Sequence, residues 1–354
     1  MDYSSTVRII SGCFVKPQHV SEQSKQPFSL TTWDLVMLSV HYIQKGLLYT
    51  KPPPWDYCEQ YLDQQCLGRL ATKIEQNPKS HSVFVDCKNS PGAKFIHAAV
   101  DLSVSDIVSP TYVPLVVQSF FEHDRAINYD GHTRPLLSIQ VTELVDGVFI
   151  GCSMNHAIAD EQRDTKIKIS RSPMLERWFP EGNNSPLLTL PFTHQNEFIT
   201  RLETSHFLER IFYFSTKSIT KLKERANTES NTTKISSFQS LSAFVWRSIT
   251  RARHKSMYGF VNDWLRSPFV YQCSPHLYSR SVIIGSSPRF NMYGNEFGLG
   301  KALTFRSGYG NKFDGKVSLY PGREGKGSVD IEICLPSFSM NALESDEEFM
   351  AAVS

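Results

Sequence analysis

The stretch from Leu137 to Asn155 leaves few folds open. Leu137, Ile139 and Val141 alternate with polar residues, Asp146-Gly147 supplies a turn, and Val148, Ile150, Cys152 and Met154 alternate again. A period of two predicts a β-hairpin, with Leu137, Ile139 and Val141 expected to face the core. His156-Ala157-Ile158-Ala159-Asp160 follows directly. His156 therefore stands where a strand ends, a place for chemistry rather than bulk packing. A neutral imidazole there can accept a proton near pH 7. An aspartate four residues on can fix the local backbone or pair with a cation. The chain has 11 histidines, so this spacing by itself favours a satisfied structural histidine over a catalytic one.

With 354 residues the chain has room for two domains and ample core. Residues 7–15 and 36–49 are predicted to be strands, and Pro52-Pro53-Pro54 interrupts any regular element after them. Residues 81–87 and 93–100 are predicted to be a strand pair around Ser90-Pro91-Gly92. The polar stretch 168–205 contains Pro173, Pro180, Pro186, Pro191 and Gly182-Asn183-Asn184, which predicts a linker. A first domain is expected over 1–167 and a second over 206–354. The second half opens on an expected strand, Glu209–Phe214, and a helix capped by Ser218. A stronger helix, capped by Ser236 or Ser237, carries Phe238, Leu241, Val245 and Ile249 at helical spacing, with Trp246 expected in the core. Residues 328–335 alternate as a half-buried strand, and a last helix starts near Ser345 with Asp346, Glu347 and Glu348 in its first turn.

Net charge is +2 with histidine neutral, which argues against bulk nucleic-acid binding. Arg247, Arg251, Arg253, His254 and Lys255 cluster at a predicted helix end. Two readings of them stay open: contacts to a ligand's phosphates, or a solvated end favoured by the helix dipole. Gly322-Arg323-Glu324-Gly325-Lys326-Gly327 lacks the Lys-Ser/Thr ending of a phosphate loop and is expected to turn. Seven cysteines are scattered without a Cys-x-x-Cys pair, which predicts reduced thiols and no metal site. Cys152, near His156, is expected to be a buried strand cysteine rather than a nucleophile. Neither a signal peptide nor an apolar run long enough to span a membrane is visible, so a cytoplasmic protein is expected.

Asn295-Glu296-Phe297-Gly298-Leu299-Gly300-Lys301 lies about 140 residues beyond His156, ahead of a strand-rich C-terminal stretch. Together with His156 and Asp160 it resembles the paired motifs of the plant BAHD acyltransferases, His-x-x-x-Asp and Asp-Phe-Gly-Trp-Gly. Here Glu296 stands for Asp and Leu299 for Trp, while Phe297, Gly298 and Gly300 match. Val7–Pro17, Leu30-Thr31-Thr32-Trp33-Asp34, Gly68-Arg69-Leu70 and Ser240–Arg247 also resemble family segments. The resemblance implies an α/β fold of two chloramphenicol-acetyltransferase-like domains, mixed sheets flanked by helices, with an active site in a channel between them. It implies transfer of an acyl group from an acyl-coenzyme A co-substrate to a hydroxyl or amine of a small acceptor, with His156 as general base. No permanently bound cofactor is implied, and family members are usually monomers. Asp160 is implied to be structural, paired with an arginine. Ser286 and Arg289 match a family segment just before the second motif, whose arginine can face the acceptor in members that use acidic acceptors; Arg289 there would favour an acidic acceptor, and a plain surface arginine stays equally open. Gly298 and Gly300 are implied to shape a turn without direct catalytic part.

The chain also departs from the family pattern. Glu161-Gln162-Arg163-Asp164-Thr165-Lys166 follows Asp160 where the family continues with Gly and a supporting helix. Between His254 and Ser281 the family's Asn-Arg-x-Arg segment is missing, and the stretch from Thr50 to Gly68 is compressed. The second domain is therefore expected to be incomplete. Besides an acyltransferase, the alternatives that stay open are an impaired or inactive relative that binds a metabolite or partner, a truncated or mis-spliced product without function, and a lyase on the same fold.

Overall fold

The computed structural model describes residues 6–16, 27–50, 69–76, 79–88, 91–158, 190, 192, 194–201, 206–253, 266, 281–285 and 291–354. The chain divides into two compact units. The first comprises 1–109, 114–201 and 293–311, and the second 110–113, 202–292 and 312–354. The division is not a single cut near 168–205: residues 293–311, expected in the C-terminal domain, cluster with the N-terminal part.

In chain order the strands of the first unit are β1 (Arg8–Val15), β2 (Phe28–Ser29), β3 (Ile43–Tyr49), β4 (Arg69–Gln76), β5 (Lys79–Asp86), β6 (Ala93–Ala99), β7 (Leu137–Glu143) and β8 (Val148–Met154). The second unit adds β9 (Leu208–Phe214) and β10 (Ile283–Gly285), the first takes β11 (Thr304–Ser307), and the second closes with β12 (Lys316–Pro321) and β13 (Val329–Leu335). Helices are α1 (Thr32–Val36), α2 (Val104–Val108), α3 (Thr216–Glu229), α4 (Ser237–Ala252), α5 (Ser337–Glu344) and α6 (Glu347–Ala352).

A six-stranded mixed sheet in the order β1-β6-β7-β8-β3-β11 forms the frame of the first unit, and a small sheet β2-β5-β4 lies in the same unit. Only β6 and β7 pair in parallel in the larger sheet. The hairpin β7–β8 forms in the expected register, Leu137 opposite Met154 and Glu143 opposite Val148. Its faces are the reverse of the expectation. Ser138, Gln140 and Thr142 are buried, whereas Leu137, Ile139 and Val141 are half-buried. The reason is hydrogen bonding: the segment 119–122 crosses the polar face, and its carbonyls need donors. Gln140 Nε2 donates to Ser119 O at 2.8 Å, while Ser153 Oγ and Gln44 Nε2 donate to Glu122 O at 2.6 and 3.0 Å.

Two further local expectations change. The run 36–49 is not one strand, because Thr31 and Asp34 form a reciprocal capping box that starts α1, and β3 begins only at Ile43. β5 and β6 both form but do not pair with each other; β5 belongs to the small sheet and β6 to the large one.

In the second unit the sheet order is β10-β12-β13-β9. Ser236 caps α4 in a box with Gln239, and Leu241, Val245 and Ile249 pack with Phe212, Ile331, Ile333 and Phe349. Phe238 and Trp246 fall off this face and are 46% and 37% exposed, so Trp246 is not core. Ser215, not Ser218, caps α3. Nor is β13 half-buried: it is buried along its whole length because β12 and β9 flank it and helices cover it. Its acidic residue Glu332 joins Glu209 and Lys312, whose Nζ lies 2.5 Å from Glu209 and 3.8 Å from Glu332.

Among the described residues Cys13, Cys152 and Cys334 are free thiols, whereas Cys87 is disulfide-bonded, contrary to the expectation of reduced cysteines throughout. No helix among the described residues is long and apolar enough to cross a membrane. The fold is α/β, with mixed sheets flanked by helices.

Candidate active site

β8 ends at Met154, and a turn carries Asn155, His156, Ala157 and Ile158. His156 is half-buried between the fully buried Asn155 and Ala157. Its backbone N–H donates to Asn128 Oδ1 at 2.8 Å. Asn155 N–H donates to Leu136 O at 2.8 Å, so the turn remains tied to the β7 side of the hairpin. Asp160, Ser286 and Arg289 lie outside the described residues.

Several titratable groups stand at the same end of the sheet. Burial pushes His123 down to about 4, against the pull of Glu122 3.7 Å away, so it is neutral near pH 7. Its ring meets Tyr42 edge-on at 5.1 Å between centroids. His41 is also lowered by burial; its backbone N–H donates to Asn311 Oδ1 at 3.0 Å and its ring meets Tyr309 at 5.9 Å. The Arg125 guanidinium lies 4.6 Å from the Tyr309 centroid. Burial alone would raise Asp130, but two bonds from Arg201, at 3.1 and 2.5 Å, and the Ile127 N–H more than offset it, holding its carboxyl below the ordinary value. Burial pushes the Cys152 thiol up to about 12, so it stays protonated at neutral pH and is no nucleophile.

The second motif forms a turn in the same unit as His156. Phe297, Gly298 and Gly300 all have positive φ, +47°, +74° and +77°. Glycine suits such backbone, and Gly300 has open space where a Cβ would stand, so its need is conformational rather than steric. Phe297 tolerates the left-handed region where its ring meets Tyr49 edge-on at 6.3 Å, and Leu299 N–H donates to Glu296 O at 2.6 Å. The fully buried Tyr49 donates its hydroxyl to Asn295 O, anchoring the turn.

Strand register fixes how the two motifs stand to each other. Met154 pairs with Ile43 at the start of β3, while Thr304, just after the second motif, pairs with Leu48 near its end. The motifs are thus at opposite ends of β3, their anchors separated by about 17 Å of strand. The second motif precedes β11, the edge strand that pairs with β3. Tyr49→Phe is expected to cost about 1 kcal/mol by removing the anchor from Asn295 O. Urea unfolding of the purified variant checks this, and an unchanged midpoint would show the hydroxyl to be dispensable.

Sequence reasoning missed Asn128, Asn155 and His41. Asn155 was adjacent to the motif, but an asparagine before a histidine carries no periodic signal. Asn128 and His41 reach the site through loops far away in sequence. The Arg247 cluster is now explained within the second unit: Arg251 pairs with Asp346 at 2.7 Å, Arg247 with Glu348 and Arg253 with Asp314. These arginines neutralise the first turn of α6 and the approach to β12; His254 and Lys255 lie outside the described residues.

Comparison with known proteins agrees with this architecture. An uncharacterised acetyltransferase of Arabidopsis thaliana is 28% identical, over 97% of this chain and 98% of its own. BAHD acyltransferase DCR, also from Arabidopsis thaliana, is 28% identical over 97% of this chain and 92% of its own. The first of these alignments spans 438 positions against a chain of 354 residues, so internal gaps take up the difference in length. Among solved structures, vinorine synthase superposes with a TM-score of 0.66 at 17% identity, covering 99% of each chain. TRI101 of F. graminearum, solved with coenzyme A and deoxynivalenol, gives 0.58 at 16% identity, covering 93% of this chain and 99% of its own. The Transferase family profile matches residues 5–262 and 262–350, and with the His156 turn and the Glu296–Gly300 turn on one sheet, the chain belongs to this family, the plant BAHD acyltransferases, as a shortened member.

Proposed function

We propose that the protein transfers an acyl group from an acyl-coenzyme A thioester to a hydroxyl or amine of a plant specialised metabolite, with His156 as general base. The carrying observation is the placement of His156 at the end of β8, half-buried, in a turn whose main chain is held by buried asparagine. The neighbour TRI101, solved with coenzyme A and deoxynivalenol, supports the choice of donor.

In this reading the acceptor's O–H or N–H gives its proton to the imidazole as the oxygen or nitrogen attacks the thioester carbonyl. The tetrahedral intermediate collapses with cleavage of the C–S bond, and the imidazolium returns its proton to the departing thiolate. The thioester is already activated, so no enzyme nucleophile is required, in keeping with the protonated state of Cys152. A positioned base of this kind supplies about 10²–10⁴-fold, and holding two substrates together supplies the rest. Asp160 is assigned a structural part, and Ser286 and Arg289 the acceptor side. Acyl-coenzyme A enters as a substrate and leaves as free coenzyme A thiol, and the protein acts as a cytoplasmic monomer.

Purified protein is expected to unfold at a higher temperature with one of acetyl-, malonyl- or hydroxycinnamoyl-coenzyme A. A ligand at about a hundredfold its Kd adds about 2.7 kcal/mol to the state that it binds. Thermal unfolding checks this, and product analysis with and without thioester completes the test. Turnover of a metabolite conjugate in the absence of any thioester would replace the transferase by a lyase. A second reading, a relative that binds without turnover, is favoured by the internal gaps; a raised unfolding temperature without product would establish it.

A further inference from the structure

We infer that Asn128 is a positioning residue for His156: its side-chain amide sets the place and orientation of the turn that carries the imidazole. The inference rests on the reading of His156 as the base.

Asn128 is fully buried, yet each of its polar groups is used. Its Oδ1 accepts the His156 backbone N–H at 2.8 Å, and its Nδ2 donates to Met37 O at 2.8 Å. Its own N–H donates to Val40 O at 2.8 Å, and its carbonyl accepts from Asn155 Nδ2 at 2.7 Å. The equally buried Asn155 completes the hold, with its Oδ1 accepting from Ala157 N–H at 3.1 Å. Three separate stretches, at 37–40, 128 and 155–157, thus meet in one buried set of bonds. A planar amide offers an acceptor atom to one backbone and a separate donor atom to another, in fixed directions, from a single short side chain. Aspartate lacks the donor, leucine lacks both, and glutamine is a methylene too long.

The arrangement differs from ordinary core packing in what it holds. A strand end needs a partner for its next N–H, which water can supply where the end is exposed. Here the first N–H beyond Asn155 is instead bound to a residue fixed on both sides. The same bond that satisfies the backbone therefore fixes where the His156 Cα–Cβ vector starts. Misplacement of a reacting group by about 1 Å costs on the order of a hundredfold in rate.

Three measurements on the full chain test this. In the wild-type protein, hydrogen exchange of the His156 amide is expected to be as slow as that of β8 amides; exchange at the rate of an open loop overturns the inference. In Asn128→Ala, the His156 ring resonance, assigned with His156→Ala and histidine-specific labelling, is expected to shift and broaden while that of His97 does not. Release of coenzyme A thiol from acetyl-, malonyl- or hydroxycinnamoyl-coenzyme A is expected to fall about 10- to 100-fold in kcat, with KM for the thioester within about twofold. Asn128→Asp, which keeps the volume and the acceptor facing His156, should lose less on both counts and serves if the alanine variant does not fold. A folded Asn128→Ala with an unmoved His156 resonance overturns the inference. If the wild type releases no thiol, the exchange and resonance results still decide it, and the failure belongs to the proposed reaction.

Discussion

His156→Ala is expected to lower turnover by about 10²–10⁴-fold while leaving the fold and thioester binding in place. That loss corresponds to about 2.7–5.5 kcal/mol of transition-state stabilisation. The imidazole is half-buried at the end of a strand, so its removal leaves no sealed cavity in the core. The structure around it is held through the backbone N–H, which alanine retains. The thermal unfolding temperature should therefore move little, and the effect should appear in kcat. His156→Gln, which keeps polarity and approximate volume but cannot carry the proton, should lose as much as alanine. Unchanged turnover in either variant, with a substrate that the wild type converts, would remove His156 from the mechanism.

Alternation made the strands of the first unit legible. The Asp146-Gly147 turn and its flanking residues define the hairpin and its register. Alternation did not say which face would be buried, because period two assigns residues to two faces and hydrophobicity alone then chooses between them. Here the chooser was the backbone of 119–122, which demanded donors from Gln140, Ser153 and Gln44 and so buried the polar face. The same limit explains β13. Its acidic residues looked like a wet face, yet Glu332 is buried because Lys312 reaches it from outside the strand. Long-range pairing is invisible to a local pattern. For that reason β11, taken with the C-terminal domain, proved to be the edge strand of the first unit's sheet.

The candidate site was legible only in part. His156 was located because a strand signal stopped one residue before it. The Glu296–Gly300 motif was recognisable only by its resemblance to a family motif, and its two glycines prove to stand where φ is positive. Its distance from His156 was not recognisable, since it follows from the register of β3 with both β8 and β11. Asn128 left no trace in the sequence: one buried asparagine inside a loop looks like any turn residue until its four partners are seen.

Lys312→Met is expected to destabilise the second unit by about 3–5 kcal/mol near pH 8, the usual cost of leaving a buried charge without its partner. Lys312 Nζ lies 2.5 Å from Glu209 on β9 and 3.8 Å from Glu332 on β13, with all three side chains almost fully buried. One ammonium faces two carboxyls. Burial pushes Glu209 up to about 8, and Glu332 pushes the same way, while Lys312 opposes them. The unfolded chain releases this proton in the ordinary carboxylate range near 4.5, whereas the folded chain keeps it until about 8. A raised folded value means that the contribution is fully present below the unfolded value and is lost as pH rises through the folded one. The wild type should therefore lose stability between about pH 4.5 and 8, against the usual trend for paired carboxylates. Without Lys312 the two carboxyls must both be desolvated without a counter-charge, so the variant's loss should grow with pH and shrink toward pH 5, where Glu209 holds its proton. Glu209→Gln removes the titrating group, retains an oxygen that accepts from Lys312, and should flatten the profile. Urea unfolding at pH 5, 6.5 and 8, with amide exchange along β13 to localise the effect, decides the matter. A wild-type profile as flat as that of Glu209→Gln would mean that the three groups are charged throughout, and that the cluster is a plain ion pair rather than a proton-holding one.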